Sequence, residues 1–207
     1  MNPFISRPSL ASLLATGLLL LSSAAQAVQY GTLLPENSTL GFVSRQMGVP
    51  VNGQFRRFAA ELDFDPARAA GARGSFEVEL ASIDTGSNEA DEEVKGKDWL
   101  LVKNFPRARF EIAGIRPLGG NRYEIHGPLT LRGMRHDIVI AASLREEAGR
   151  AIFEGRYLLK RLDFNIGGGA WGDTDTVANE VEVRFSLAFR AKPEAASRTT
   201  LRTAKKR

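Results

Sequence analysis

The sequence predicts an all-β protein whose antiparallel strands are long enough to close into an up-and-down barrel. Three observations point there. Apolar and polar residues alternate with period two over most of the chain. Clusters of turn-forming residues separate the alternating runs at hairpin spacing. One stretch alone, residues 87–103, departs from the alternation toward a helix.

The chain opens with a segment that stands apart from the fold. Arg7 precedes an apolar run from Leu10 to Leu21, and small residues follow, ending in Ala25-Gln26-Ala27. This three-part layout predicts a secretory signal peptide over 1–27, cleaved after Ala27. The run is too short to cross a hydrocarbon core of roughly 30 Å as a helix. No later stretch reaches its length without a charge, so no transmembrane segment is expected.

Eight strands are expected in the body, near 38–47, 51–65, 74–84, 106–117, 121–132, 135–147, 151–164 and 177–191. The last is the clearest: Val181, Val183, Phe185, Leu187 and Phe189 alternate with Glu182, Arg184, Ser186, Ala188 and Arg190. Phe76, Val78 and Leu80 alternate with glutamates. Tyr123, Ile125, Leu129 and Leu131 share a face opposite Glu124, His126, Thr130 and Arg132. Asp65-Pro66, Gly71 to Gly74, Gly119-Gly120-Asn121 and Glu146 to Gly149 supply the turns. Several runs exceed the common strand length of about five or six residues. Long consecutive strands with one apolar face suit a closed barrel, which leaves no exposed edge. A two-sheet sandwich stays open as the alternative, since alternation does not report closure.

Ser87 to Lys97 opens with a capping residue and early acids and closes on Lys95 and Lys97, the charge order a helix dipole favours. Trp99-Leu100-Leu101-Val102 reads as a second short helical piece. A helical insertion across one barrel mouth is the natural placement, and a solvated connector is the alternative.

Charge and composition narrow the function. Of 28 Lys and Arg, one lies in the leader and six lie in residues 192–207, leaving 21 cations against 23 acids in the body. The basic character therefore belongs to the tail, and the body gives no case for nucleic acid. The tail has little to bury and is expected to be disordered, with transient contact at an anionic membrane surface as its alternative role. The chain has no cysteine, which removes zinc-ribbon and thiol-redox chemistry. Its two histidines, His126 and His136, lack metal-ligand spacing, and there is no G-x-S-x-G elbow. Gly167, Gly169 and Gly172 fit G-x-G-x-x-G. They are followed by acids and a β-branched strand rather than a helix, so they are read as a flexible glycine loop. No catalytic residue and no metal site is expected. An uncharacterised hydrolase or isomerase would need an acid–base pair that the sequence does not display.

Several blocks in order make the chain resemble the YceI-like family of lipid- and polyisoprenoid-binding proteins. They are Asn37-Ser38-x-x-x-Phe42 with Arg45-x-Met47, Gly53-x-Phe55-x-x-Phe58, and Leu62-x-Phe64-Asp65-Pro66. Ser82 to Gly86, Phe105-Pro106-x-x-x-Phe110 and Gly127-x-Leu129-Thr130-Leu131-x-Gly133 follow. Arg161-x-Asp163-Phe164-x-Ile166-Gly167 and Trp171-x-Asp173 leading to Asn179-Glu180-Val181 complete the set. The match spans roughly Val28 to Ala191. It implies an extended, eight-stranded, lipocalin-like antiparallel barrel over 28–191, exported to the periplasm. It further implies a long-chain lipid, a polyisoprenoid or isoprenoid quinone, in the bore. It implies no catalytic cofactor and no enzymatic activity, and it suggests a homodimer. Many members carry histidine where Asn37 stands and another near Glu93. Their absence implies a different head-group end.

The apolar bore is expected to be lined by Phe42, Phe58, Phe64, Phe76, Val78, Phe110, Ile112, Leu129, Leu131, Phe153, Tyr157, Trp171, Val183 and Phe185. Gly41, Gly114, Gly127 and Gly155 interrupt the bulky rows and are expected to leave volume. Asn37, Arg45, Lys160, Arg161 and Asn165 are the head-group candidates, with structural ion pairing the alternative for the charged ones. A chain of about 40 carbons, at roughly 0.3 kcal/mol per heavy atom, would gain on the order of 12 kcal/mol without any charged pocket. The expected function is a periplasmic carrier or reservoir. The alternative is a non-enzymatic stress-related or interaction protein with a solidly packed barrel and no lipid.

Overall fold

The computed structural model describes residues 28–192. The expected signal peptide, 1–27, and the basic tail beyond Lys192 lie outside the described residues. Twelve strands form one antiparallel sheet. They are β1 (Tyr30–Leu33), β2 (Thr39–Gln46), β3 (Val49–Phe55), β4 (Phe58–Phe64), β5 (Arg73–Glu79) and β6 (Ile83–Asp84), then β7 (Arg107–Ile112), β8 (Gly114–Gly119), β9 (Arg122–Leu131), β10 (Met134–Glu147), β11 (Arg150–Lys160) and β12 (Glu180–Ala191). The helix α1 (Asn88–Lys95) sits between β6 and β7.

Pairing groups these strands into eight staves. β12 pairs with both β1 and β2, so those two run end to end along one neighbour. β2 pairs with β3 while β1 pairs with β4, which makes β3–β4 the next stave. β4 pairs with β5 and β3 with β6. β7 and β8 both pair with β9, and β9 through β12 follow as plain neighbours. The β1–β12 pairing closes the ring, so the fold is an eight-stave barrel and not a sandwich.

The bends in the staves have a common cause. Inward side chains fall two apart along each strand, but Phe55 to Phe58, Leu80 to Ile83 and Ile112 to Ile115 are three apart. One extra residue at each step turns the strand while keeping the apolar face inward, as a bulge does. Two of these corners are tied together. The Ser82 hydroxyl accepts from Arg57 N at 3.0 Å and donates to the Glu79 carbonyl at 2.6 Å.

Three expectations are corrected. Tyr30–Leu33 is a strand absent from the alternation reading; four residues carry too little pattern, and β12 and β4 supply its partners. The strand expected to run to 164 ends at Lys160, and Arg161–Phe164 is a 3-10 turn. Residues 99–102 form hydrogen-bonded turns rather than a helical piece, with Leu101 at φ 50°.

The outer face explains the polar half of the alternation. Arg57 meets Glu79, Arg109 bridges Glu77 and Glu111, and Arg135 reaches Glu111 at 3.1 Å. The hydrogen bonds from Arg135 and then Arg109 hold the Glu111 carboxyl below the usual range. These exposed pairs fix register more than they stabilise.

Candidate functional site

A cavity of about 610 Å³ runs along the barrel axis. Strand alternation builds its wall. Phe42 of β2, Phe76 and Val78 of β5, Phe110 and Ile112 of β7, and Leu129 and Leu131 of β9 face it. So do Phe153 and Tyr157 of β11, Val183 and Phe185 of β12, and Trp171 from the loop after β11. Phe58 and Phe64, expected among them, do not line it. Phe58 packs on Phe76 with ring centroids 5.7 Å apart. Phe64 is fully buried in an aromatic plug at one end.

That plug closes the bore. Phe64 meets Tyr123 edge-on at 5.9 Å and Phe153 at 5.1 Å, and Phe153 meets Phe189 edge-on at 6.1 Å. Edge-to-face rings at these distances add to the area they bury. Volume at this end is therefore filled, and the cavity wall stops at Phe153 and Phe189.

The opposite end carries the insertion. Ala90, Glu93 and Val94 of α1 line the cavity there, together with Thr85, Trp99 and Leu100. The helix is set by its cap: the Ser87 hydroxyl accepts from Ala90 N, and the Asp91 carboxylate accepts from both Thr85 N at 2.8 Å and Thr85 Oγ1 at 2.7 Å. Ser44, Gln46 and Val51 of the β2–β3 hairpin complete the rim. The insertion thus covers the mouth rather than forming a detached connector.

The glycine expectation is overturned. Gly155 lies directly opposite Phe185, whose ring already occupies the space a Cβ would take, at 2.6 Å. Gly127 sits against the Glu111 carbonyl, 1.8 Å from where its Cβ would be. Gly41, between inward Leu40 and Phe42, and Gly114, before inward Ile115, lie on the outer parity of their strands. A side chain is missing at the two inward positions because a ring or a backbone carbonyl fills the gap, and the bore owes its volume to the span of the barrel.

Four of the five head-group candidates do not reach the cavity. Asn37 is exposed at the end of a 3-10 turn between β1 and β2. Arg45 is exposed and donates to the Gly48 carbonyl at 3.4 Å. Lys160 points outward at the end of β11, and Asn165 is exposed with φ 55°, closing the turn after Phe164. Only Arg161 lines the wall.

Arg161 is 1 % exposed, and its guanidinium is saturated. Nε donates to Ala178 O, Nη1 to Ile166 O and Gly167 O, and Nη2 to Trp171 O and Val177 O, at 2.7–3.1 Å. Among the described residues no carboxylate pairs with it. Burial lowers its pKa, and the ring of Trp99 lies 5.8 Å from its carbon. The glycine loop over 167–172 is tied to it at two points: the carbonyls of Gly167 and Trp171 bind this one cation. The alternation reading missed this because a buried Arg looks like any polar residue at a strand end.

Residues of the wall that pattern alone did not single out include Phe55, Ile83, Trp99, Ile138 and Ile140. Ile138 and Ile140 alternate with Asp137, Val139 and Ala141, so a signal was present there. Trp99 comes from outside any strand and carried none. Deeper in the bore, burial and then Asp163 push the Tyr157 phenol above its ordinary pKa, so it stays neutral. The reachable chemistry is a hydrocarbon tube with hydroxyl, amide and carboxylate groups at one rim.

Comparison with known proteins places this geometry. The YceI-like domain model matches residues 32–189. A UPF0312 protein of Photorhabdus laumondii is 29% identical over 168 residues, 77% of this chain and 87% of the relative. One from Pseudomonas savastanoi pv. phaseolicola is 31% identical over 173 residues, 78% of this chain and 88% of that protein. Among solved structures, BcnA of Burkholderia cenocepacia is similar, at 36% identity and a TM-score of 0.74 over 75% of this chain and 98% of that one. A polyisoprenoid-binding domain from Saccharophagus degradans shares the fold, at 18% identity and a TM-score of 0.63 over 80% of this chain and 99% of its own. With barrel, insertion and matched residues in agreement, the chain belongs to the YceI-like family.

Proposed function

We propose that this protein binds a long-chain lipid with an isoprenoid-type tail in its bore, and acts in the periplasm as a carrier or reservoir rather than as a catalyst. The observation that carries the reading is the cavity: about 610 Å³, walled by aromatic and aliphatic side chains, plugged at one end and rimmed by polar groups at the other. A space of that size falls in the range of small-molecule sites, and hydrocarbon is what such a wall binds. It counts against a solidly packed barrel. The polyisoprenoid-binding neighbour supports the ligand class, and the leader over 1–27 supports export.

The rim refines the head group. Arg161 has no N–H left to give, while Glu89 and Glu93 bring carboxylates to the mouth. Inside the cavity wall a pyrophosphate head would meet acids and a guanidinium already saturated by carbonyls. A neutral head, a quinone or an alcohol, fits better. Native mass spectrometry of the purified protein, with solvent extraction, tests this: an apolar isoprenoid of neutral head should co-purify. Protein that carries none, and takes up neither isoprenoid quinone nor prenol, refutes the reading. The same spectrum reports whether two copies associate.

A further inference from the structure

The β2–β3 hairpin ends in a feature that neither the barrel nor the cavity uses. Met47 is 73 % exposed and Val49 63 % exposed, the two most exposed large hydrophobics of the described chain. The connection is a two-residue turn with Met47 at φ 48° and Gly48 at φ 77°. Such turns favour Asn, Asp or Gly at the first position, because an ordinary side chain is strained in the left-handed region. A methionine there accepts that strain while its side chain stands mostly in solvent.

The tip is also held firmly. Met47 N donates to Thr176 O at 2.8 Å, Ala178 N donates to Arg45 O at 2.9 Å, and Gln46 bridges to Val177. Val49 lies two and six residues before Val51 and Phe55, on the same strand face, and both of those line the cavity. The apolar inner surface therefore continues past the rim and out onto the tip. Arg45 stands just behind it, exposed, and its partner among the described residues is the Gly48 carbonyl. Asp173 is engaged within its own loop by Asp175 N and Thr176 Oγ1.

We propose that this tip is a membrane-docking element that seats the barrel mouth on a phospholipid bilayer. Met47 and Val49 enter the acyl boundary, and Arg45 meets the phosphate plane. The proposal rests on the lipid-carrier reading for its purpose: a long isoprenoid crossing open water would expose its whole apolar surface, whereas a tip continuous with the bore spares it that passage. With Asp173 and Asp175 nearby, the local charge does not select an anionic surface. Hydrophobic insertion carries the contact, so zwitterionic lipid suffices.

The test is flotation of the full chain with vesicles of phosphatidylcholine and phosphatidylethanolamine. Three variants are compared with wild type: Met47→Ser with Val49→Ser, Met47→Asn alone, and Val139→Ser with Leu158→Ser on the barrel wall. Wild type and the wall variant should float alike. The double tip variant should lose at least tenfold in partitioning. Met47→Asn puts a favoured residue in the turn, so it should melt no lower than wild type yet float several-fold less, which separates docking from misfolding. Equal flotation of wild type and tip variants, or no flotation of wild type, overturns the proposal. Co-purified lipid is measured in parallel. Lipid retained by tip variants that no longer float supports docking within the carrier reading. Docking through the tip by a protein that holds no lipid leaves the docking element standing and refutes the carrier reading instead.

Discussion

Arg161 is a buried cation with no carboxylate partner among the described residues, stabilised by five backbone carbonyls. Its cost is offset because every N–H is satisfied, and three of the carbonyls, those of Ile166, Gly167 and Val177, are paired by it in the interior. The residue organises the 161–179 connection, a long loop that no strand ladder supports. Arg161→Met removes the charge but strands several acceptors at once. It should lower stability by on the order of 3 kcal/mol, read from the urea midpoint. Arg161→Lys should recover little, since one ammonium offers three donors where five are used. A midpoint unchanged in either variant would mean that water replaces the guanidinium.

The elements repeat one design: long strands bent by a single extra residue, then latched beside the bend. Asp84 is the latch for the shortest strand, β6. It accepts from Gln54 Nε2 at 2.9 Å, from Arg56 Nη2 at 2.6 Å and from Gly86 N at 3.1 Å. These bonds, Gln54 first, pull its pKa from 3.8 to about 2. A folded-state pKa below the unfolded one means that unfolding takes up a proton between them. The latch therefore contributes fully above pH 3.8, and its contribution is lost as pH falls through about 2. Asp84→Asn should flatten that part of the stability–pH curve, and the carboxyl resonance of Asp84 should titrate near 2. A resonance that titrates at its ordinary value would show that the latch is open in solution. The bends themselves were written in the sequence as three-residue gaps between apolar residues, at Phe55–Phe58, Leu80–Ile83 and Ile112–Ile115. A reading tuned to strict alternation passes over them, because each continues as strand on both sides.

At the scale of the molecule, a closed ring of eight staves holds a plug, a bore and a covered mouth in sequence along one axis. The bore is unusual for an interior: between the plug and the mouth its side chains border a cavity of about 610 Å³. Enlarging one of them should then cost less than overpacking a filled core, which runs about 1–3 kcal/mol. Ile138, 9 % exposed and in the first half of β10, is the position to enlarge. Ile138→Trp should change the stability of the delipidated protein by under about 1 kcal/mol while cutting co-purified lipid at least tenfold. A large loss of stability with lipid content unchanged would place the ligand elsewhere.

The sequence by itself determined which side chains face inward, because period-two alternation on a strand is a local property that sterics impose residue by residue. The same locality placed α1, whose cap and charges lie within ten residues of one another, and brought Phe42, Phe110, Phe153 and Phe185 onto one wall. Only the tertiary structure decided what those residues enclose. Closure depends on β1 meeting β12 from the far end of the described chain, from Tyr30↔Ala191 to Leu33↔Phe189. The split of the aromatics into plug and bore depends on the end at which each stave bends. The role of Arg161 depends on five carbonyls spread over thirteen residues converging on one guanidinium. Alternation constrains a residue's face; distance along the axis and the partners met there are set by how the whole ring closes.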